Sequence, residues 1–306
     1  MNLLQLGEYA EGWAEAEWRW QTEQFTAFNP PQPRWQGGDI RRQNLLVHTE
    51  QGAGDAIQFI RYMPLLAKKC QKLILVAPAH LVPIFETVEG IDLIDTAGDI
   101  PLKSFDTYIP LMSLPYIFGT TLDNIPNSFP YIKAPSENKE ELINFIASKH
   151  QPNSKKVGIV WAGNPTHSND HNRSCKLEDM LPLLELPDIT FYSLQVGDRA
   201  KDINQLSPEL KAKVADLTPY LKDYGDTAVA IEQLDLVISV DTSVAHLAGA
   251  LSRPVWTALC YNPDWRWLIE GDDTPWYPSM KLFRQPQPQD WRSVFTYMAK
   301  KLVAVK

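Results

Sequence analysis

Apolar positions along this chain fall into two kinds of run that take turns. Short, nearly continuous stretches predict buried strands, and longer stretches with apolar residues three and four apart predict helices. The start reads as helical: Leu3, Leu4, Leu6, Tyr9, Trp13, Ala16 and Trp20 recur at near-helical spacing, weakened by Gly7 and Gly12. The run Asn29-Pro30-Pro31-Gln32-Pro33-Arg34 then breaks regular structure. A first alternating series follows. Its strands are expected at 44–49, 72–77, 91–95 and 107–110, and its helices at 55–70, with a kink at Pro64, and at 79–88. A polar helical connector over 136–150 and a linker over 151–155 lead to a second series. Here strands are expected at 156–161, 189–195, 214–217, 236–240 and 255–259, and helices at 177–186, 227–233 and 243–251, before an amphipathic helix at 289–302.

Strands that alternate with helices form parallel sheets covered on both faces. Two such series, divided near residue 150, predict an α/β protein with two Rossmann-like domains facing a cleft. The boundaries read as a helical segment at 1–28, a first domain at 29–150 and a second at 151–306, with the last helix able to pack back on the first domain. The length, 306 residues, suits two domains of roughly 120–150 residues better than a single core.

Composition narrows the class. Apolar residues make up 44% and charged residues 22%, which argues against a disordered chain. A net charge of −8 leaves no excess of cations for non-specific nucleic-acid binding. The three cysteines, Cys70, Cys175 and Cys260, are odd in number and far apart, so a reducing compartment is expected rather than a disulfide framework. No apolar run reaches the roughly 18–20 residues that cross a bilayer, and the first ten residues lack the basic and apolar regions of a secretory signal. The expected location is the cytoplasm, with peripheral association with the inner membrane left open. Of the ten tryptophans, nine gather near the two ends, and packing is the ordinary reading for most of them.

Ligands of parallel sheets sit beyond the carboxyl ends of the strands. The loops after Thr49, Trp161, Gln195 and Val240 are therefore where chemistry is expected. The first reads Glu50-Gln51-Gly52-Ala53-Gly54-Asp55, a sharp turn into a helix. It lacks the third glycine of a dinucleotide fingerprint, and Val76-Ala77-Pro78 stands where a ribose-binding acid would follow the second strand, so a nicotinamide cofactor is rejected. Asp55 is either a helix cap or a general base. Gln51, Gly54 and Gln58 are further candidates on the same loop and helix.

The loop after Trp161 is long, polar and rich in turn formers. Asn164, Arg173, Ser174 and Lys176 are candidates for gripping a diphosphate, arginine through its planar donor fork; a solvated loop is the alternative. His167 and His171 would suit a metal if they lay on a helix, but the surrounding Asn, Asp, Ser and Pro argue against one, and no metal is expected. Gln195, at the end of a second-domain strand, is a candidate contact for a nucleoside. After Val240 come Asp241, Thr242 and Ser243, then a helix of small residues with His246 in its first turn. The N–H groups of a helix start favour an anion. A lone histidine is more often a core residue, but beside Asp241 and Thr242 it joins the candidate site.

Asp241-Thr242-Ser243-Val244-Ala245-His246-Leu247-Ala248-Gly249-Ala250-Leu251, followed by Pro254, resembles the donor-site signature of the heptosyltransferases of bacterial lipopolysaccharide cores. The Gly54-Asp55 turn, with Pro64 beyond it, looks like the acceptor-side loop of that superfamily. A fuller likeness is to bacterial tetratricopeptide-repeat proteins that end in a heptosyltransferase-like domain. It is carried by Glu50–Asp55, Gly158–Pro165, Asn172-Arg173-Ser174, Ser193-Leu194-Gln195, Asp264-Trp265-Arg266-Trp267 and Trp276-Tyr277-Pro278, and Leu6–Gly12 looks like the first helix of a final repeat. An isolated repeat cannot bury its own face, which suggests a capping unit or a truncated array.

The resemblance implies the GT-B fold and an inverting, metal-independent glycosyltransferase. Its co-substrate would be a nucleotide-diphosphate sugar, ADP-heptose among the candidates, with no resident cofactor, and its acceptor a glycan or a protein. A protein partner through the repeat-like N-terminus is also implied. Asp55 matches the family's proposed base, Asp241, Thr242 and His246 match donor-binding positions, and Arg266 is a family feature and a further candidate. Two departures bear on the sugar: Ser243 stands where the lipopolysaccharide enzymes usually carry glycine, and Arg173-Ser174-Cys175-Lys176 stands where they carry a lysine followed by Trp-Pro. Two other readings use the same residues, a nucleotide-sugar epimerase on this fold and an inactive repeat-protein scaffold.

Overall fold

The computed structural model describes residues 2–22, 28, 30–96, 101–136 and 139–304, the side chain of residue 102 excepted. Position 29 in the expected break, 137–138 in the expected connector and 305–306 lie outside them. The chain forms two compact units: residues 1–133 with 264–269, and residues 134–263 with 270–306.

In the first unit four parallel strands, β1 (Ile40–His48), β2 (Cys70–Val76), β3 (Leu93–Asp95) and β4 (Thr107–Pro110), lie in the order β3-β2-β1-β4. Leu45, Leu46 and Val47 of β1 and Leu73, Ile74 and Leu75 of β2 are buried, as central strands covered on both faces require. The helix expected over 55–70 is three pieces: an α-helix at Ala53–Phe59, a 3₁₀ turn at Ile60–Tyr62 and an α-helix at Met63–Ala67. Pro64 sits in the first turn of the last piece, where its missing N–H does no harm, and the chain tightens ahead of it. The expected helix over 3–20 is likewise divided, into Asn2–Gln5, Tyr9–Ala16 and a 3₁₀ turn at Glu17–Gln21; Gly7, at φ 83°, makes the first break. This segment is not a free-standing face. Leu4, Tyr9 and Trp13 are buried, Trp13 packs edge-on against Phe59 and Trp265, and its indole N–H donates to the Thr120 carbonyl at 3.0 Å.

The second unit holds six parallel strands: β5 (Lys155–Val160), β6 (Ile189–Ser193), β7 (Val214–Asp216), β8 (Leu236–Val240), β9 (Val255–Leu259) and β10 (Met280–Arg284), in the order β10-β9-β8-β5-β6-β7. β6 and β8 are buried at every position. β10 is not among the expected strands. Lys281 and Arg284 interrupt its apolar run, and it pairs at the sheet edge with β9 alone. The last helix, Trp291–Ala304, lays Trp291, Val294, Phe295, Met298 and Leu302 into the same core as Trp161, Phe191 and Ile238.

Each sheet reverses its strand order once. In the first the reversal lies between β1 and β4, in the second between β8 and β5. Loops leaving neighbouring strands there diverge, and this is where parallel sheets take their ligands. Among the described residues no helix is long and apolar enough to cross a membrane.

Candidate functional site

The sheet of the second unit brings the loop after β5 beside the loop after β8. Arg173 donates through Nε to Asp170 Oδ1 at 3.3 Å and through Nη1 to the Asp241 carbonyl at 3.4 Å. Ser174 Oγ accepts from Gly163 N at 2.9 Å and donates to Asp170 Oδ1 at 2.8 Å. A Cβ on Gly163 would stand 2.5 Å from Arg173 Nη2, so glycine there lets the guanidinium lie against the backbone. Arg173, Ser174 and Asp241 thus meet at the switch point. The irregular loop expected here contains one turn of α-helix, Asp170–Arg173, started by Asn169, whose carbonyl accepts from Arg173 N at 3.3 Å. Asn164 is exposed and turns on itself, its Oδ1 accepting from Thr166 N and Oγ1; Lys176 is exposed. Among the described residues no group of three or more His, Cys, Asp or Glu could hold a metal ion.

Gln195, the residue expected to contact a nucleoside, is tied to the backbone around it. Its Oε1 accepts from Trp161 N at 3.1 Å and Ala162 N at 2.9 Å, and its Nε2 donates to the carbonyls of Ala162 and Val196, each at 3.1 Å. The buried amide is committed at both ends to the backbone that leaves β5 and β6, because those N–H and C=O groups have no ladder partner beyond the strands.

Thr242 occupies the N-cap of the helix Ser243–Ala250 in extended backbone, yet makes no side-chain cap bond. Its hydroxyl pairs instead with Ser239 Oγ at 2.9 Å. The helix start is therefore left without the usual hydroxyl cap, the condition under which its N–H groups can serve an anion. Ser243 Oγ lies 2.6 Å from the Tyr224 hydroxyl, whose burial pushes that phenol above its ordinary value while Ser243 pulls the other way. His246 is buried, with Nδ1 2.8 Å from the Tyr277 hydroxyl. Tyr277 fits because residue 249 is glycine: a Cβ there would meet its ring. Tyr224, Tyr277, Asp170 and Ser239 were not candidates from the sequence. Tyr277 belonged to a motif without an assigned role; Tyr224 and Ser239 reach the site only through the fold.

The first unit gathers a second set of candidates. After β1 the loop is anchored by Glu50, whose buried carboxylate accepts from Arg19 Nη2 at 2.8 Å, from Arg19 Nε at 3.1 Å and from Met112 N at 3.0 Å. Burial raises the Glu50 carboxyl above its ordinary value, with Arg19 opposing it. Gln51 then turns through a left-handed backbone, φ 61°, a conformation that a non-glycine residue adopts only where its surroundings impose it. Gly54 precedes Asp55 in the first helical turn. Asp55 is the third helical residue and not the cap itself; its Oδ2 accepts from Gly52 N at 3.0 Å. Its Oδ1 accepts from Arg266 Nη2 at 2.5 Å. The same guanidinium donates through Nε to Gln58 Oε1 at 2.6 Å, pairs through Nη1 with Asp264 Oδ1 at 2.8 Å and lies over the Trp265 ring. Asp55, Gln58 and Arg266 are thereby brought together, although 211 positions separate Asp55 from Arg266.

No family model matches the chain. It is similar to Protein FlbA of Caulobacter vibrioides, with 26% identity over 317 residues covering 94% of this chain and 51% of that protein, so the chain spans about half the length of the curated relative it matches. Among solved structures it resembles the ADP-heptose lipopolysaccharide heptosyltransferase II of E. coli, with TM-score 0.57, 12% identity, and coverage of 86% of this chain and 100% of that one. It also resembles a glycosyl transferase family 9 protein of Veillonella parvula, with TM-score 0.55, 11% identity, and coverage of 81% and 87%. A third likeness is to the iron-containing dodecameric glycosyltransferase TibC of enterotoxigenic E. coli, with TM-score 0.54, 12% identity, and coverage of 83% and 65%. The two-unit α/β architecture thus resembles the GT-B fold.

Proposed function

We propose that the protein is an inverting glycosyltransferase that moves a sugar from a nucleotide diphosphate to a hydroxyl acceptor without a metal ion. The observation that carries this reading is the convergence of Arg173, Asp241 and the uncapped helix start at Ser243 on the switch point of the second sheet. A diphosphate gains negative charge as it leaves, and donors fixed in advance stabilise that charge. Arg173, Ser174, Lys176, the Thr242 and Ser243 hydroxyls and the adjoining N–H groups are proposed for this part. Tyr277 orients His246, which is proposed to meet phosphate or sugar.

In the reaction the acceptor oxygen bonds to the anomeric carbon on the face opposite the diphosphate. The bond from that carbon to the diphosphate breaks, and the nucleoside diphosphate leaves with the electron pair. The hydroxyl proton passes to the Asp55 carboxylate, a step for which a positioned base typically contributes roughly 10²–10⁴-fold. Asp55 keeps the capacity for it, since each carboxylate oxygen has two acceptor sites and, among the described residues, one protein donor lies on each. The acceptor is a glycan or a protein side chain carrying a free hydroxyl.

A thermal-shift panel of ADP-, UDP-, GDP- and dTDP-linked sugars tests the reading. A donor present at about 100 times its Kd adds about 2.7 kcal/mol of apparent stability, so one nucleotide class should raise the midpoint by degrees. A panel in which no nucleotide sugar stabilises the protein would contradict it.

A further inference from the structure

We propose that Arg266 is the positioning residue of the base: it holds the Asp55 carboxylate in the orientation that receives the acceptor's proton. This rests on the transfer reading above. Arg266 is buried, at 7% exposure, and each of its nitrogens has an oxygen to hold: Nε on Gln58, Nη2 on Asp55 and Nη1 on Asp264. Asp264 also accepts from Arg266 N at 3.2 Å, which closes the short 3₁₀ turn Trp265–Trp267. The two tryptophans of that turn are buried, and Trp265 packs against Tyr9, Trp13 and Phe59. The arginine is therefore held at its backbone, along its ring-stacked face and at its head, and these contacts set the point it offers to Asp55.

Asp55 needs such a holder. Its other contact, Gly52 N to Oδ2, leaves the carboxyl free to swing about that single bond. A second bond to Oδ1 fixes the plane of the group and with it the direction of the remaining lone pairs. Gln58 adds a second anchor for the arginine. Its Oε1 accepts from Arg266, and among the described residues its buried Nε2 has no hydrogen-bond partner, so the bond to the guanidinium is what holds the amide. Lysine could reach Asp55 from this position but could not bond Gln58 and Asp264 at the same time in fixed directions.

The test uses the full chain and measures release of nucleoside diphosphate with water as acceptor, from ADP-heptose and from UDP-N-acetylglucosamine. kcat and KM are compared for wild type, Arg266→Met and Arg266→Lys, with thermal melting to confirm that each variant is folded. Misplacing a reacting group by about 1 Å costs on the order of 100-fold, so Arg266→Met is expected to lower kcat by about that factor with the donor KM unchanged, and Arg266→Lys to recover part of it. A folded Arg266→Met protein with wild-type kcat, or a loss that lies in KM, would overturn the positioning role while transfer stands. A panel in which no sugar nucleotide stabilises the wild type would overturn the transfer reading and this proposal with it.

Discussion

His48, the last residue of β1, sits among the rings of Trp20, Phe28 and Tyr108 at 7% exposure, and its Nε2 has no partner among the described residues. Burial, and then the charges of Arg19 and Arg34, hold its imidazole down at about 4 against an ordinary 6.5. The folded protein thus refuses a proton that the unfolded chain accepts. Stability is unaffected by this group above pH 6.5, falls as pH drops from 6.5 towards 4, and is level below that. The loss amounts to about 3 kcal/mol. Urea unfolding at pH 7 and pH 4.5 is expected to show most of this difference in wild type and none of it in His48→Phe; equal pH dependence in the two would contradict it. In the second unit, Gly249→Ala sets a methyl group against the Tyr277 ring, and overpacking of this kind typically costs about 1–3 kcal/mol. Tyr277→Phe removes only the hydroxyl on His246. Both are expected to reduce the thermal shift that a sugar nucleotide produces, and an undiminished shift in Tyr277→Phe would remove Tyr277 and His246 from the donor site.

The segment from Asn2 to Gln21 shows how elements share the work. Its helices bury Leu4, Tyr9 and Trp13 in the first unit, and Arg19 joins the carboxylate of Glu50 and the hydroxyl of Ser113. Arg34 and Glu17 complete this network by their own ion pair. Removing one partner of a buried pair leaves the other charge without compensation, typically at about 3–5 kcal/mol, so Arg19→Met should cost about that in urea unfolding. A change within about 0.5 kcal/mol would class Arg19 with exposed residues. The same stretch shows what hydrophobic pattern conveys. The central strands β1, β2, β5, β6, β8 and β9 announce themselves as apolar runs because both faces are covered. β10 escaped because an edge strand alternates, with Lys281 exposed between buried Met280 and Leu282. The breaks at Gly7 and Pro64 were visible as residues, but whether the chain bends, tightens or stops there depends on what packs against it.

At the scale of the molecule, residues 264–269 fall between β9 and β10 in sequence yet belong to the first unit. A chain ending at residue 133 therefore lacks Trp265, against which Tyr9, Trp13 and Phe59 pack, and Arg266 beside Asp55. Such a fragment is expected to unfold at lower urea than the first transition of the full chain; an equal midpoint would show that the six residues contribute nothing. This path also explains why the candidate site was only half legible. Strand ends and their loops can be read from local pattern, and that was enough to single out Asp55, Arg173, Asp241 and His246. Partnerships across the chain leave no local trace: Arg266 with Asp55, Tyr277 with His246 and the inward commitment of Gln195 are products of topology. The central claim is that this fold transfers a sugar with Asp55 as base. Its most direct test is Asp55→Asn, assayed for nucleoside diphosphate release with the sugar nucleotide that stabilises wild type. Turnover is expected to fall by about 10²–10⁴-fold while the thermal shift from that nucleotide is retained. Wild-type turnover in Asp55→Asn would make Asp55 a helix-start residue only, and would contradict the account.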